Sequence, residues 1–541
     1  VSGDLPRAAL AALLLALALA WFGGLGERKL LKADEGRYGE IPREMLASGD
    51  WLTPRLNGFK YFEKPPLQYW ATAAAFAAFG VAEWSARLWT ALAGFLGVLL
   101  VGYAGRRLLG AAGGVYAAAA LAGSGLYVFA GHVTSLDMGV SLFLALAVFA
   151  ILFAQSDGTP PRARRNWMLA AWAAMALAAL SKGLIGIVLP AGAVLVYATW
   201  QRDWGLLRRL HAGAGLALFL AIAAPWFIAV SAANPEFARF FFIHEHFERF
   251  LTTEHQRAGP LWYFVPVLAA GALPWALSLP AGLWQAARSA PERRFQPQRF
   301  LFTWCAVVFA FFSVSGSKLP AYILPMFPAL ALIVAAQLER ASRRLLAAQA
   351  GVAALLGLAV LAAAAAQAVP GLPAPYRPWL AAAGALLAAL ALAALALAAA
   401  GRRLGSALAL AAGGLAFTQL AVLGHGALSP RYSAYHAVER ARPALPADAP
   451  FYAVRQYDHT LPFYLGRTVT LVGVTDELAG AIAWEPRKYI ARLEDFAAAW
   501  RAAPAACAAF APAEFERLRA ELHLQARVRA ESPRYLIACK P

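Results

Sequence analysis

The sequence predicts an α-helical polytopic membrane protein of about thirteen spans that ends in a soluble α/β domain, and two observations carry that prediction. Hydrophobic residues fill 61% of the 541 positions and charged residues only 14%, against about a quarter in a soluble globular chain. The apolar residues also come in runs of about twenty, the length an α-helix needs to cross the hydrocarbon core of a bilayer.

Apolar windows fall near 8–26, 84–105, 111–130, 137–154, 167–180, 183–200, 211–231, 262–286, 299–314, 320–338, 345–369, 378–399 and 405–424. The first reads as a retained helix rather than a cleaved signal peptide, because no A-x-A-like cleavage site closes it and further spans follow. Alternate connectors are short and basic: Arg106/Arg107, Arg162/Arg164/Arg165, Arg202/Arg208/Arg209, Arg288/Arg293/Arg294/Arg299, Arg340/Arg343/Arg344 and Arg402/Arg403. Cytoplasmic loops accumulate Lys and Arg, so these six are assigned to the cytoplasm. The formal charge of +18 is then mostly topology. A nucleic-acid partner is disfavoured, because the charge is dispersed over six loops instead of forming one patch.

The same alternation puts residues 27–83, 231–261, the brief connectors at 131–136 and 315–319, and everything after about Ser429 on the other side. The chain divides into a transmembrane domain, 1–428, with outer juxtamembrane helices at about 35–80 and 235–252, and a soluble α/β domain, 429–541. In the latter, "FYAVRQY", "RTVTLVGV" and "RYLIACK" read as strands, and "LEDFAAAWRAA" and "EFERLRAELHLQA" as helices. Cys507 and Cys539 lie there, where oxidation is permitted, and read equally well as a bridge or as two buried thiols. Cys305 lies within a span, and no cysteine spacing fits a metal or catalytic motif.

Ionisable residues collect in the outer stretches. After the first span, "KADEGRYGEIPREML" sets Asp34 and Glu35 ahead of Tyr38, Ile41, Met45 and Leu46, apolar at helical spacing, which predicts a short interfacial helix with Pro42 near its start. In "NGFKYFEKPPLQYW", Pro66 suits the first turn of a second helix. Lys64, preceding a proline, is held extended as a cation on a stiff stem. In "NPEFARFFFIHEHFERFLTTEHQ", Asn234 is the expected N-cap and Pro235 the first helical residue. His244 then falls in an apolar stripe, and Arg249 on another face can reach toward an anion. "SGSKLPAYILP" places Lys318 and Tyr322, and "GHVTSLDMGV" places Asp137, at the outer ends of spans.

Each feature has a bland alternative. An acidic pair after a span is commonly a solvated loop, Lys64, Arg249 and Lys318 can serve as headgroup anchors, and a single His244 is commonly structural. Their joint occurrence at one membrane face favours a site, since an unpaired ionisable group costs roughly 2.5–3.5 kcal/mol in the hydrocarbon core. Carboxylates and cations beside a lipid-accessible groove suit transfer of a group from a lipid-linked phosphate to an external acceptor. In glycosyl transfer a carboxylate steadies the sugar or deprotonates an acceptor hydroxyl, while fixed Lys and Arg donors neutralise the departing phosphate.

The stretch "KADEGRYGEIPREMLASGDWLTPRLNGFKYFEKPPLQYW", together with "SKLPAYILP", resembles the bacterial aminoarabinose transferases acting on lipid A. These are relatives of the protein O-mannosyltransferases within the GT-C glycosyltransferase fold, and the resemblance covers the whole chain. It implies a GT-C fold whose active site and C-terminal domain face the periplasm from the inner membrane. The implied donor is undecaprenyl phosphate carrying 4-amino-4-deoxy-L-arabinose, and the implied acceptor is a phosphate of lipid A. By the same resemblance Asp34 is the catalytic acidic residue and Asp137 the second acid of the fold. Lys64 and Arg249 hold the donor phosphate, aided by Tyr322, and Glu35, Arg37, Tyr38 and Lys318 complete the substrate contacts. If the acceptor is an ionised phosphate, Asp34 has no proton to abstract, and its expected role is to orient the donor and stabilise charge at the anomeric carbon.

No cofactor is required by this reading. The alternative is a divalent metal ion on Glu63 and His244, structural rather than catalytic, with His246 turned away from His244 by helical geometry. No Gly-rich phosphate loop appears, which argues against a soluble nucleotide-sugar donor. Another polyprenyl-phosphate-dependent GT-C transferase, such as a protein O-mannosyltransferase, is the enzyme alternative. A lipid flippase or transporter is the non-enzyme one, disfavoured because mid-membrane charges and internal symmetry are lacking.

Overall fold

A computed structural model describes residues 6–248, 259–288, 293–368 and 370–541. The chain falls into two compact units, one formed by Val1–Gly23, Glu63–Leu67 and Trp89–Val422, the other by Gly24–Phe62, Gln68–Leu88 and Leu423–Pro541.

The first unit is helical. Among the described residues of the whole chain, eight helices are long and apolar enough to cross a membrane, and a bent pair, Phe264–Gly271 with Ala276–Ala287 at 116°, brings this to nine. Arg7–Phe22 and Ile185–Gln201 are apolar but shorter. The windows near 84–105 and 111–130 are joined in one helical run, Glu83–Ala122, that reverses at Gly110, where φ is 89°. A Cβ built on Gly105 would lie 2.8 Å from the Gly113 carbonyl oxygen, and one on Gly114 2.8 Å from that of Gly102. A straight helix would hold Gly105 and Gly113 about 12 Å apart, so the chain folds back at Gly110 into a tight hairpin. Gly357 and Gly384 do the same for the helices Arg343–Ala365 and Arg377–Ala399: a Cβ on Gly357 would meet the Gly384 carbonyl oxygen at 2.6 Å. Small residues allow this approach where apolar side chains gain nothing from leaving lipid.

Asn234 ends the helix Ala212–Ala233, and helix resumes at Phe237 rather than at the expected Pro235, with the Phe237 N–H donating to the Asn234 carbonyl at 3.0 Å. The Asn234 backbone N–H and its Nδ2 both donate to the Val230 carbonyl, at 2.9 and 3.2 Å, which satisfies an acceptor left over at the end of Ala212–Ala233. The following segment, Arg239–Glu248, is π-helical.

The second unit is built on a six-stranded sheet. Its strands are β3 (Phe451–Val454), β4 (Thr470–Val472), β5 (Tyr489–Ile490), β6 (Cys507–Phe510), β7 (Arg527–Glu531) and β8 (Leu536–Cys539), in the order β5-β4-β3-β6-β8-β7. The first four in that order run parallel, and β8 is antiparallel to both β6 and β7. Cys507 and Cys539 face each other in register on β6 and β8 and are joined as a disulfide. Tyr452, Val454, Phe496, Trp500, Phe510 and Leu518 form the core between the sheet and the helices Leu493–Ala502 and Pro512–Glu521.

The segment after the first span belongs to this unit. A small hairpin, β1 (Arg55–Leu56) with β2 (Phe59–Lys60), is tied to the sheet region by Asn57, which exchanges hydrogen bonds of 2.9 and 2.7 Å with the Val469 backbone. Arg55 pairs with Glu485 at 2.9 Å. The helix Asp34–Ser48 carries Pro42 in its interior, not near its start. A proline there costs about 3 kcal/mol in an isolated helix. Anchoring of the helix along its length, described next, outweighs that penalty.

Candidate functional site

Asp34 and Glu35 begin a helix, where the partial positive charge of the first turn favours carboxylates. Their neighbours divide them into two roles. Glu35 is buried, and Arg28 donates to it through Nη1 and Nη2 at 3.1 and 3.0 Å. Arg87 donates through Nε and Nη2 at 2.8 and 3.0 Å, and the Leu31 N–H adds a bond at 3.3 Å. Burial raises the Glu35 carboxyl, but the two guanidinium groups outweigh it and hold it below the usual carboxylate range. Arg87 also donates to the carbonyls of Leu25 and Arg28, each at 2.8 Å, so Glu35 is the centre of a knot that shapes the loop leading into the helix.

Asp34 is half exposed and is held by Arg37 one turn on, Nη1 to Oδ1, at 3.1 Å. The rest of the Arg37 guanidinium lies against Glu477: Nε donates to Oε1 at 2.8 Å, and Nη2 donates to Oε2. Tyr38 is buried and stacks on Tyr69 with ring centroids 6.1 Å apart. Two glycines let this helix seat closely. A Cβ on Gly36 would lie 2.8 Å from the Thr460 backbone nitrogen, and one on Gly39 3.3 Å from the Phe463 ring. Thr460 and Phe463 belong to the short helix Thr460–Leu465, so matched i,i+3 positions meet face to face.

In the other unit Asp137 opens the helix Asp137–Gln155, and its Oδ1 accepts from Nζ of Lys182, the last residue of the helix Pro161–Lys182. The acid sits at a helix N-terminus and the base at a C-terminus, each where the helix dipole stabilises it. The Lys182 ammonium also lies 5.1 Å from the centroid of the Tyr322 ring. The sequence reading missed Lys182, although its place at the end of an apolar span was a usable signal. Lys318 is buried, with Nζ donating to the carbonyls of Ser313 and Ser315 at 2.9 and 2.8 Å. Lys64 Nζ donates to the Glu63 carbonyl at 2.7 Å and stands 4.0 Å from the Glu63 carboxylate. That ammonium would compete with any metal ion for Glu63. Arg249 and the side chain of His244 lie outside the described residues. Among the described residues no three His, Cys, Asp or Glu side chains gather as metal ligands.

Removing either member of the Asp137–Lys182 pair strands a mostly buried charge. Asp137→Asn and Lys182→Met should each destabilise the protein by about 3 kcal/mol, and the double variant by no more than either single one. Thermal unfolding of the detergent-purified chain checks this. Inactivation by Asp137→Asn without an equal loss in Lys182→Met would instead assign Asp137 to the chemistry.

The arrangement holds the Asp34 carboxylate oriented and accessible. That suits stabilisation of positive charge on a bound sugar better than proton abstraction.

Residues 437–540 match the family described as "Aminoarabinose transferase C-terminal domain", and residues 9–241 match "Dolichyl-phosphate-mannose-protein mannosyltransferase". The chain is 38% identical over 342 residues to undecaprenyl phosphate-alpha-4-amino-4-deoxy-L-arabinose arabinosyl transferase 2 of Pseudomonas fluorescens, an alignment covering 62% of this chain and 57% of that protein. It is 36% identical over 323 residues to the corresponding transferase of Pseudomonas aeruginosa, covering 60% and 58%. The chain thus spans under two thirds of the length of the curated relatives it matches. The crystal structure of ArnT from Cupriavidus metallidurans in the apo state is similar over 98% of both chains, with a TM-score of 0.91 and 37% identity. The same protein bound to undecaprenyl phosphate is similar over 99% of this chain and 98% of that one, with a TM-score of 0.90 and 36% identity.

Proposed function

We propose a function that follows from one fact: the chain belongs to the aminoarabinose transferase family. It transfers 4-amino-4-deoxy-L-arabinose from undecaprenyl phosphate to a phosphate of lipid A at the periplasmic face of the inner membrane. The product surface is less anionic and binds cationic peptides such as polymyxin less well. The observation that carries this reading is the likeness, across 99% of the chain, to an ArnT whose crystal structure holds undecaprenyl phosphate.

The reaction needs no proton transfer. An oxygen of the acceptor phosphate bonds to the anomeric carbon, the bond from that carbon to the undecaprenyl phosphate oxygen breaks, and the electron pair leaves with the phosphate. Positive charge builds on the sugar and negative charge on the leaving group. Asp34, oriented by Arg37, stabilises the first and pairs with the sugar amine. Lys64 and Arg249, aided by Tyr322, neutralise the second. Asp137, paired with Lys182, holds the outer end of its helix. Glu35 is spent on the loop that presents Asp34, and a metal ion on Glu63 has no part in these steps.

A second reading rests on the mannosyltransferase match at residues 9–241: transfer of a hexose from a polyprenyl phosphate to protein or lipid. Mass spectrometry of lipid A decides between them, using cells that lack the native activity and carry this chain. An added aminopentose supports the proposal. Unmodified lipid A, or a hexose in its place, overturns it in favour of the second reading.

A further inference from the structure

We infer that Glu477, seated on His459, is a positioning residue for Asp34; this rests on the proposed function and names a part of the C-terminal region that the reaction depends on. Three linked contacts carry it. His459 is buried, 3% exposed, with Nε2 2.8 Å from Glu477 Oε1. The Glu477 carboxylate takes two donors of Arg37, and Arg37 Nη1 reaches Asp34 at 3.1 Å. The His459 end is 3% exposed and the Asp34 end 52%, so a buried end anchors an accessible one.

Geometry gives the chain its force. A guanidinium is planar, so two bonds to one carboxylate fix its plane and thereby the direction of the remaining N–H groups. Glu477 takes Nε and Nη2, which fixes the directions of the two Nη1 N–H groups, one of which donates to Asp34 Oδ1. Without Glu477, Arg37 keeps its charge and loses its orientation. His459 is immobilised in turn. The next residue, Thr460, is packed under Gly36 and donates its N–H to Asp458 at 3.0 Å, and Asp458 is held by Arg534 Nε at 2.8 Å. Burial alone would raise the Glu477 carboxyl. Its bonds to His459 and Arg37 bring it down to about 2, so it stays ionised at working pH.

The simpler account is a staple that only ties the helix Asp34–Ser48 to the sheet region. Kinetics of the full chain in detergent, with undecaprenyl-phosphate-linked aminoarabinose and lipid A, separate the two. A positioning role predicts that Glu477→Ala lowers kcat about 10- to 100-fold with little change in KM for the donor, as misplacement of a reacting group does. Glu477→Gln, which keeps the size and one acceptor, should give an intermediate kcat at an unchanged thermal midpoint, and it decides the matter if the alanine variant fails to fold. In an Asp34→Asn background, Glu477→Ala should cost nothing further. Wild-type kcat in Glu477→Ala beside an inactive Asp34→Asn overturns the positioning role alone. So does a loss that tracks the thermal midpoint. Full turnover in Asp34→Asn removes Asp34 from the reaction and the positioning role with it, whereas no transfer by the wild-type chain overturns the functional reading itself.

Discussion

Asp34→Asn should lower transfer of aminoarabinose by roughly 100- to 1,000-fold, the loss seen when one preorganised electrostatic group is removed from a transition state. Asparagine keeps the size of the side chain and one oxygen to accept from Arg37 Nη1, so the substitution removes charge and little else. Arg37 stays bonded to Glu477, and Asp34 is half exposed, so the thermal midpoint should hold. Steady-state rates at saturating donor measure the effect, and lipid A from complemented cells should lack the adduct. In the proposed reaction the acceptor phosphate is largely dianionic at neutral pH, so raising the pH should not rescue the variant. A general base would behave differently, since hydroxide can replace part of its work. Wild-type modification by Asp34→Asn would remove Asp34 from the reaction.

The membrane architecture was legible because hydrocarbon imposes a length and composition that no other solvent does, and the windows read from the sequence are helical over most of their extent. Local signals failed where distant contacts set the outcome. Pro42 was expected near a helix start and lies inside the helix Asp34–Ser48, because Glu35, Arg37 and Gly36 pin the turns before it. Strand β6, "CAAF", escaped notice because alanine carries no strand preference, and burial at the middle of the sheet decides its conformation. Within the acidic motif the sequence could mark Asp34 and Glu35 as a pair but not separate them. What separates them is Arg87, 52 positions from Glu35, and Glu477, 440 positions from Arg37. No periodicity encodes pairings of that span.

Glu35→Gln should destabilise the second unit by about 3–5 kcal/mol, since it leaves two buried guanidinium groups without their shared anion. The glutamine amide would also turn N–H groups toward donors that need an acceptor. Local opening should follow, with faster amide exchange in residues 25–38, where Arg87 now holds three carbonyls. The pH dependence gives an independent check. The folded-state Glu35 carboxyl lies below its unfolded value of about 4.3, so the folded chain binds fewer protons there. Its contribution is fully present above pH 4.3 and is lost as the pH falls toward the folded value. Burial pushes the Glu40 and Glu44 carboxyls up, so their contributions carry the opposite sign and fade as pH rises. They are common to both proteins and cancel in the difference between wild type and Glu35→Gln. That difference should be constant from pH 8 to about 4.5 and shrink below it. A difference that instead grew on acidification would mean that Glu35 is protonated in the fold, and that the arginines do not hold it as an anion.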